Sequence, residues 1–414
     1  MTVHLRPLLG IAVLLLTGIV FSSDRRRIRA RVIGPALLCQ IAAGLVMLGL
    51  PAGRAALSHV AGAVSWVADF GQAGIAFVFG ALASPELTKN LSGGGFIFAI
   101  SVLPQIIYLS ALIAVLYHYN IMQIMARGIG AILTRLIGVS TVEAFSAAMA
   151  MFLGQTEVPI AIHPYLASLS RSELLSAMSS GTASISMSML AAYAGLGVPV
   201  EYLLAASCMA MPGGLLFAKL LMPSDGREQP RLTVTETAEI RSANLFDALA
   251  VGAGNGLRVA ISVAAMLIAF ISTIALLNAV LGGIGHQAGF NDLSVGTIMG
   301  FVLRPVIWLL GVPWDQSNVV AGIVGTKIAV NEFVAYGNLT PFYQHHLLTP
   351  QTLAIASFAL CGFANLSSIG VLIGAFGSQC PERRQEVARL GWRAVLAGTL
   401  SNLTSAAIAG MFIA

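Results

Sequence analysis

The sequence has little charge: only 9% of its 414 residues are Asp, Glu, Lys or Arg, whereas a soluble domain carries roughly 25%. So few charged groups cannot cover a water-facing surface, which excludes a soluble enzyme. Aromatic residues make up 7%, and the absence of alternating ten-residue strand patterns argues against an outer-membrane barrel. Hydrophobic residues reach 57%, with 43 glycines, and small residues let helices approach closely in lipid. The composition predicts an all-α integral membrane protein.

Cysteine is also scarce. Cys39, Cys208, Cys361 and Cys380 are widely spaced, without a CxxC pair or metal-ligand spacing. We therefore predict no disulfide framework, no metal site and no organic cofactor. The formal net charge is +5, but the basic residues cluster beside apolar runs instead of forming one patch. They indicate membrane topology and contact with lipid, not nucleic-acid binding.

The basic clusters set a predicted orientation. Five arginines lie between residues 25 and 31, and the positive-inside rule places them in the cytoplasm, which puts the amino terminus outside. The polar loop 223–244 and the arginines at 383–393 must be cytoplasmic too. Eight transmembrane helices with both termini outside satisfy every cluster, with an amphipathic stretch between the second and third lying along the interface. The predicted spans are 7–23, 32–50, 96–117, 174–195, 202–222, 259–281, 354–376 and 394–414.

Two apolar regions, at about 140–170 and 312–346, remain outside this count. Each has a polar centre, with Gly154 and Pro159 flanking polar residues in the first and Asn331 and Glu332 in the second. Glycine and proline break helices, and counting either region as a crossing would misplace the next basic loop. We predict two re-entrant helical hairpins with polar tips.

Each hairpin is followed by a span that small polar residues interrupt. These residues are Ser184, Ser186 and Ser188 after the first hairpin, and Asn365, Ser367 and Ser368 after the second. Hairpin and broken span thus occur twice and enter from opposite faces, which is the inverted-repeat pattern of secondary transporters. The predicted site lies between the four breaks, where half-helix ends present unpaired backbone groups.

Carboxylates at membrane depth indicate function, because inserting one costs at least about 2.5 kcal/mol. Glu157 and Glu332 are therefore the leading site candidates. For Lys327 we favour a structural ion pair or carbonyl contact over contact with solute. Ser186 is expected to bond to its own preceding turn, and Arg258 is expected to be an interfacial anchor.

At these residues the sequence resembles the concentrative nucleoside transporter family, closest to its bacterial nucleoside permeases. The family signature runs from Gly325 through Lys327 to the letters NEFVAY at 331–336. The letters GQTE at 154–157 and CGFANLSSIG at 361–370 also match, and the likeness extends over nearly the whole chain.

The resemblance implies a cation-coupled symporter, not an enzyme, that imports nucleosides such as uridine, cytidine and adenosine across the bacterial inner membrane. It also implies a homotrimer in which a mobile transport part moves in an elevator fashion against a scaffold. Both termini would be periplasmic. The expected division is 1–118 for scaffold spans and interfacial helix, 119–222 for the first transport repeat, 223–285 for the cytoplasmic loop and a scaffold span, and 286–414 for the second transport repeat.

The resemblance also assigns contacts. The expected nucleobase contacts are Gln155, Thr156, Glu157 and Met189, and the expected ribose contacts are Glu332, Asn365 and Ser368, with Phe363 beside them. The chemistry agrees, since a carboxylate and an amide can hold vicinal hydroxyls, while Gln, Thr and Glu suit the mixed donors and acceptors of a base edge.

The residues at the expected sodium position bear on the identity of the coupling ion. Sodium-coupled relatives hold the ion partly with an asparagine, and here that position is Ala150, although Leu153, Ser184 and Ile185 occupy the other places. Losing an oxygen ligand weakens a site for a hard cation, so we favour a proton, with sodium coupling as the alternative. Burial disfavours a charged carboxylate, which makes Glu332 and Glu157 the candidate proton carriers.

Two other classes compete with a symporter. A passive channel would not saturate with its solute. An intramembrane enzyme would need a metal or a catalytic His or Asp beside the carboxylates.

Overall fold

The computed structural model describes residues 2–83, 97–224, 242–287, 289 and 293–413. Within these ranges every regular element is a helix, which confirms the predicted all-α class. Most of the predicted cytoplasmic loop, the first residue of the predicted third span and residue 414 lie outside the described residues.

The chain begins with helices that match the first predicted spans. In order they are Thr2–Val20, Ala30–Gly44 with a π-helical extension Leu45–Gly49, Pro51–Asp69, Gly71–Phe79, Phe98–Ser101, Leu103–His118 and Ile121–Ile137. Gly138 ends the last of these at a φ of 81°, a left-handed conformation that glycine adopts without a Cβ penalty. The helices at 51–83 are apolar and long enough together to cross a membrane, so their position along the interface stays a prediction.

The first predicted hairpin is a helix, a turn and two short helical turns: Thr141–Leu153, the tip 154–157, Val158–Ala161 and His163–Leu166. Its first helix starts at a capping box, in which Ser140 and Glu143 each bond to the other's backbone N–H. This arrangement satisfies two backbone donors at the helix start. The helix ends at Gly154, whose φ of 81° and ψ of 179° no other residue adopts easily.

The span after this hairpin is broken, as predicted. The first broken helix consists of Arg171–Ala183 and Met187–Gly195, with its break at 184–186, and Val200–Leu221 follows. Ser184 and Ser186 both have extended backbone, so the polar residues identified in the sequence form the break itself.

The second repeat has the same order. Its hairpin comprises Trp314–Ala329 and Glu332–Gln344, its broken helix comprises Pro350–Leu360 and Ser367–Gln379 with the break at 361–366, and the C-terminal helix is Arg384–Phe412. Helix Val295–Leu309, which the sequence analysis did not predict, precedes the hairpin and meets it at a bend of 120°.

The predicted span 259–281 lies within a helix of 43 residues, Leu245–Gln287, which we call the long helix. It is mostly exposed in the isolated chain, whereas Val200–Leu221 is almost wholly enclosed. The sequence analysis did not predict its full length, because its first part contains the polar residues Asp247, Asn255 and Arg258.

By length and hydropathy, six described helices can each cross a membrane, or seven if the bent pair counts as one span. The two broken helices fall outside this count because each half is short. The predicted number of eight crossings therefore stays a prediction. The buried core lies where the hairpins and broken helices pack around Val200–Leu221 and the C-terminal helix.

Candidate functional site

The hairpin tips and helix breaks surround a cavity of about 400 Å³. This volume lies within the range of small-molecule sites. All eight residues predicted to contact substrate line it: Gln155, Thr156, Glu157, Met189, Glu332, Phe363, Asn365 and Ser368. The structure thus brings together residues from both repeats that are up to about two hundred positions apart in the chain.

Glu332 is held firmly at the second tip. It is 5% exposed, and its two carboxylate oxygens accept hydrogen bonds from Tyr193 Oη at 2.9 Å and from Asn365 Nδ2 at 3.0 Å. Each carboxylate oxygen retains capacity for a further bond. The side chain is therefore oriented in advance to accept hydroxyl donors from a ligand.

Asn365 organises the second break. Its Oδ1 accepts bonds from the Ser368 backbone N–H at 2.9 Å and from Ser367 Oγ at 2.6 Å, while the Ser368 hydroxyl donates to the Phe363 carbonyl. These bonds fix the amide of Asn365 so that its nitrogen points to Glu332. The ribose-side residues predicted from the sequence therefore form one hydrogen-bonded group.

Gln155 connects this group to the first hairpin. Its Nε2 donates to Ser368 Oγ at 3.1 Å. Its Oε1 is buried and has no hydrogen-bond partner among the described residues. Leaving such an acceptor unsatisfied costs about 1–3 kcal/mol, and a ligand N–H or O–H would satisfy it.

The other residues of the first tip are more open. Thr156 is exposed and Glu157 is half-buried, and both face the same cavity as Met189. Ser186 shares a hydrogen bond of 3.0 Å with Ser188. This bond differs from the expected bond of Ser186 to its preceding turn, because the break removes that turn.

The helices that start at Met187, Glu332 and Ser367 begin at the cavity. The N-terminal end of a helix carries partial positive charge and free N–H groups. Asn331 caps the second of these helices by accepting a bond from the Val334 N–H at 2.9 Å. The cavity therefore offers backbone donors as well as the acceptors of its carboxylates and amides.

The predicted cation position is internally bonded. Ser184 Oγ lies 2.9 Å from the carbonyl oxygens of both Ala150 and Ser180, which share its one hydroxyl proton. The Ala150 carbonyl also accepts from the Gly154 N–H at 3.1 Å. Leu153 lines the cavity, while Ser184 and Ile185 are buried. The side chain at position 150 offers no oxygen, so this set has one ligand fewer for a sodium ion.

Two basic residues have defined places. Lys327 makes the carbonyl contact that the sequence analysis favoured, with the Ala359 oxygen 2.8 Å from its Nζ. Arg258, expected as an interfacial anchor, instead lines the cavity from the long helix. The sequence did not predict this contact, because a charge near the end of an apolar run does not reveal what the helix faces.

Sequence reasoning missed Tyr193 as a partner of Glu332. A signal was present, since Tyr193 lies four positions after Met189 and residues i and i+4 share a helix face. Ser262 and Val263 of the long helix also line the cavity, without any motif that marks them.

Comparison with known proteins identifies the family. Family models described as "Na+ dependent nucleoside transporter C-terminus" and "N-terminus" match residues 202–410 and 9–82, and a model described as "Nucleoside recognition" matches 99–199. The nucleoside permease NupC of Helicobacter pylori is 43% identical over 410 residues, covering 98% of this chain and 96% of that protein. The chain belongs to the concentrative nucleoside transporter family.

Solved structures of one transporter, CNTnw, have the same fold. Its inward-facing, substrate-bound structure has a TM-score of 0.95 at 44% identity, covering 100% of both chains. A doubly substituted variant in an outward-facing state has a TM-score of 0.96 at 44% identity, covering 99% of both chains. The family consists of transporters, not enzymes, and the apolar helices agree with a multi-pass membrane protein.

Proposed function

We propose that this protein is a proton-coupled nucleoside symporter of the bacterial inner membrane that imports uridine, cytidine, adenosine and similar nucleosides. The observation that carries the proposal is the single cavity in which Glu332, Asn365 and Ser368 of one repeat meet Gln155 and Glu157 of the other. The pre-oriented carboxylate suits the vicinal hydroxyls of ribose, and the unpartnered Gln155 oxygen suits an N–H of a base.

We further propose the residue roles and organisation that the family resemblance implies. Gln155, Thr156, Glu157 and Met189 contact the base, and Glu332, Asn365, Ser368 and Phe363 contact the ribose. The transport repeats at 119–222 and 286–414 move in an elevator fashion against the scaffold of a homotrimer, with both termini periplasmic. Cross-linking of the protein in native membranes is expected to give a trimer.

The site is tested by uptake of labelled uridine into proteoliposomes. Glu332→Gln keeps the side-chain shape but removes its charge, and charge-assisted hydrogen bonds contribute about 1.5–3 kcal/mol each. We expect the KM for uridine to rise at least about tenfold, because each 1.4 kcal/mol is a factor of ten. The matched control is Glu201→Gln, a half-buried carboxylate in the first turn of Val200–Leu221, which should leave KM unchanged. Normal uptake by Glu332→Gln would refute the assigned role, and flux that never saturates would indicate a channel.

The proton is supported by the absence of a side-chain oxygen at Ala150. Glu332 and Glu157 are the proposed carriers, since both carboxylates line the substrate cavity. In sodium-free medium, an acid-outside pH jump should drive uridine accumulation against its gradient. Accumulation that requires a sodium gradient at constant pH would establish sodium coupling instead.

A further inference from the structure

Lys327 is a buried cation whose surroundings are unusual. It is 1% exposed, and its ammonium donates to the Ala359 carbonyl at 2.8 Å and to Asn402 Oδ1 at 2.7 Å. No carboxylate forms an ion pair with it among the described residues. Its two hydrogen bonds go to neutral oxygens, and a buried charge of this kind requires well-placed partners.

Asn402, also 1% exposed, extends this contact to both broken helices. Its Nδ2 donates to the Ala183 carbonyl at 2.6 Å and to the Cys361 carbonyl at 2.8 Å. We call Lys327, Asn402 and the three carbonyls of Ala183, Ala359 and Cys361 the lysine hub. The hub joins the second hairpin, the C-terminal helix and both breaks.

The three carbonyls lie at helix ends. Ala183 ends the first half of the first broken helix, while Ala359 and Cys361 lie at the end of Pro350–Leu360. The last carbonyls of a helix have no intrahelical partner and carry partial negative charge. Lys327 therefore places its ammonium where two negative helix ends meet. It bonds directly to one of these ends and reaches the other through Asn402.

The second break lies directly on this hub. Any side chain at Gly362 would collide with Asn402 and with the Ala183 carbonyl. Beyond Gly362, the Phe363 N–H donates to Ser184 O at 3.3 Å and the Leu366 N–H donates to Ile328 O at 3.0 Å. The break is thus held at its start by the hub and at its end by the residue that follows Lys327.

We propose that Lys327 is a positioning residue for the nucleoside site. The hydrogen bonds of its ammonium, together with those that Asn402 makes to Ala183 and Cys361, fix the break 361–366. They thereby set the position of Asn365 and its bond to Glu332, without contact between Lys327 and the ligand. The inference rests on the proposed function in so far as the ligand is a nucleoside. A positioning role differs from a merely stabilising role, because it predicts an effect on nucleoside affinity that persists when stability is recovered.

The central experiment separates affinity from stability. Lys327→Met alone leaves Asn402 Oδ1 unpaired in the interior, so we expect the thermal stability of the purified protein to fall. The double variant Lys327→Met, Asn402→Leu removes the charge together with the unpaired amide oxygen, but it leaves the carbonyls of Ala183, Ala359 and Cys361 without donors, so we expect it to regain part of the lost stability. If Lys327 positions the site, the KM of the double variant for uridine stays at least about tenfold raised while its maximal rate per folded transporter changes less than about threefold. Recovery of both stability and KM would overturn the proposal.

A second variant covers the case in which the double variant does not fold. Asn402→Asp keeps an acceptor for Lys327 but removes the donors to Ala183 and Cys361, so the break should loosen while a charged pair retains the fold. The matched control is Gln40→Leu. Gln40 is a buried amide that also bonds to the C-terminal helix, at the Ser401 carbonyl and Ser405 Oγ. It should lose stability without a change in KM.

A measurement without nucleoside distinguishes failure of this inference from failure of the proposed function. Cys361 is buried at the start of the break, so its alkylation rate reports the break's position once the other three cysteines are replaced by alanine. Asn402→Asp should raise this rate at least tenfold, and an unchanged rate would refute positioning even in a protein that transports uridine. A raised rate in a protein that transports no nucleoside would refute the proposed function alone.

Discussion

Replacing Gly154 by alanine is the most direct perturbation of the first tip. Gly154 has a φ of 81° and a ψ of 179°, a region that essentially only glycine occupies. An added Cβ would lie 3.0 Å from Ser186 Cβ and 3.2 Å from Phe363 Cε2. The substitution therefore strains the backbone and also crowds the side chains of both breaks.

These two effects give the expected size. Holding a residue other than glycine in this backbone region costs about 1–3 kcal/mol, and overpacking a tight contact costs about 1–3 kcal/mol more. The total is about 2–6 kcal/mol. If the tip relaxes to avoid this strain, Gln155 and Glu157 move away from their positions in the cavity. Even about 2 kcal/mol corresponds to a loss of roughly 30-fold in affinity.

Uridine uptake into proteoliposomes measures this effect as KM, and nucleoside-dependent thermal stabilisation of the purified protein measures it independently. The matched control is Gly138→Ala. Gly138 has the same φ of 81°, but its added Cβ would have nothing within 4 Å. It should lose about 1–2 kcal/mol of stability from the left-handed backbone alone and keep its KM. A KM for Gly154→Ala within twofold of the unaltered protein would refute the reasoning.

Three further substitutions follow from the same contacts. Tyr193→Phe removes one charge-assisted hydrogen bond to Glu332, which contributes about 1.5–3 kcal/mol. The KM for uridine should therefore rise by up to about 100-fold. An unchanged KM would mean that the bond does not orient the carboxylate. Lys219→Met removes the cation that pairs with the buried Glu143 at 2.7 Å. The uncompensated carboxylate should lower the free energy of unfolding, measured by thermal denaturation, by about 3–5 kcal/mol. A stability equal to that of the unaltered protein would contradict this. Ala150→Asn supplies the missing side-chain oxygen, and we expect uptake to become stimulated by sodium; uptake that stays indifferent to sodium would show that the remaining ligands do not suffice.

The breaks were predictable because local chemistry determines them. Gly154 and Pro159 interrupt one helical run, and Asn331 caps the helix that begins at Glu332, so residue type alone marks both tips. Residue type also indicated the site, because the carboxylates Glu157 and Glu332 lie in otherwise apolar sequence. The predicted contact set then required only that the two repeats meet at their breaks.

The rest depended on tertiary packing that no local pattern encodes. Asn402 lies in a long helical run, and nothing in its neighbours shows that it bonds two carbonyls from distant segments. Arg258 belongs to the long helix, and the side it presents to the cavity follows from how that helix packs. Helix Val295–Leu309 escaped prediction because its apolar residues resemble those of any packing helix, and its 120° bend into the hairpin arises only in three dimensions.

The long helix, Leu245–Gln287, has a consequence for the surrounding lipid. With 43 residues and a rise of 1.5 Å each, it measures roughly 65 Å, more than twice the approximately 30 Å thickness of a hydrocarbon layer. A tilt of about 20°, average for such helices, leaves most of this excess outside the layer, so the helix must lean much further or project well beyond the headgroups. Acyl-chain length therefore becomes a variable that changes the tilt of this helix, and with it the wall of the cavity to which Arg258 belongs.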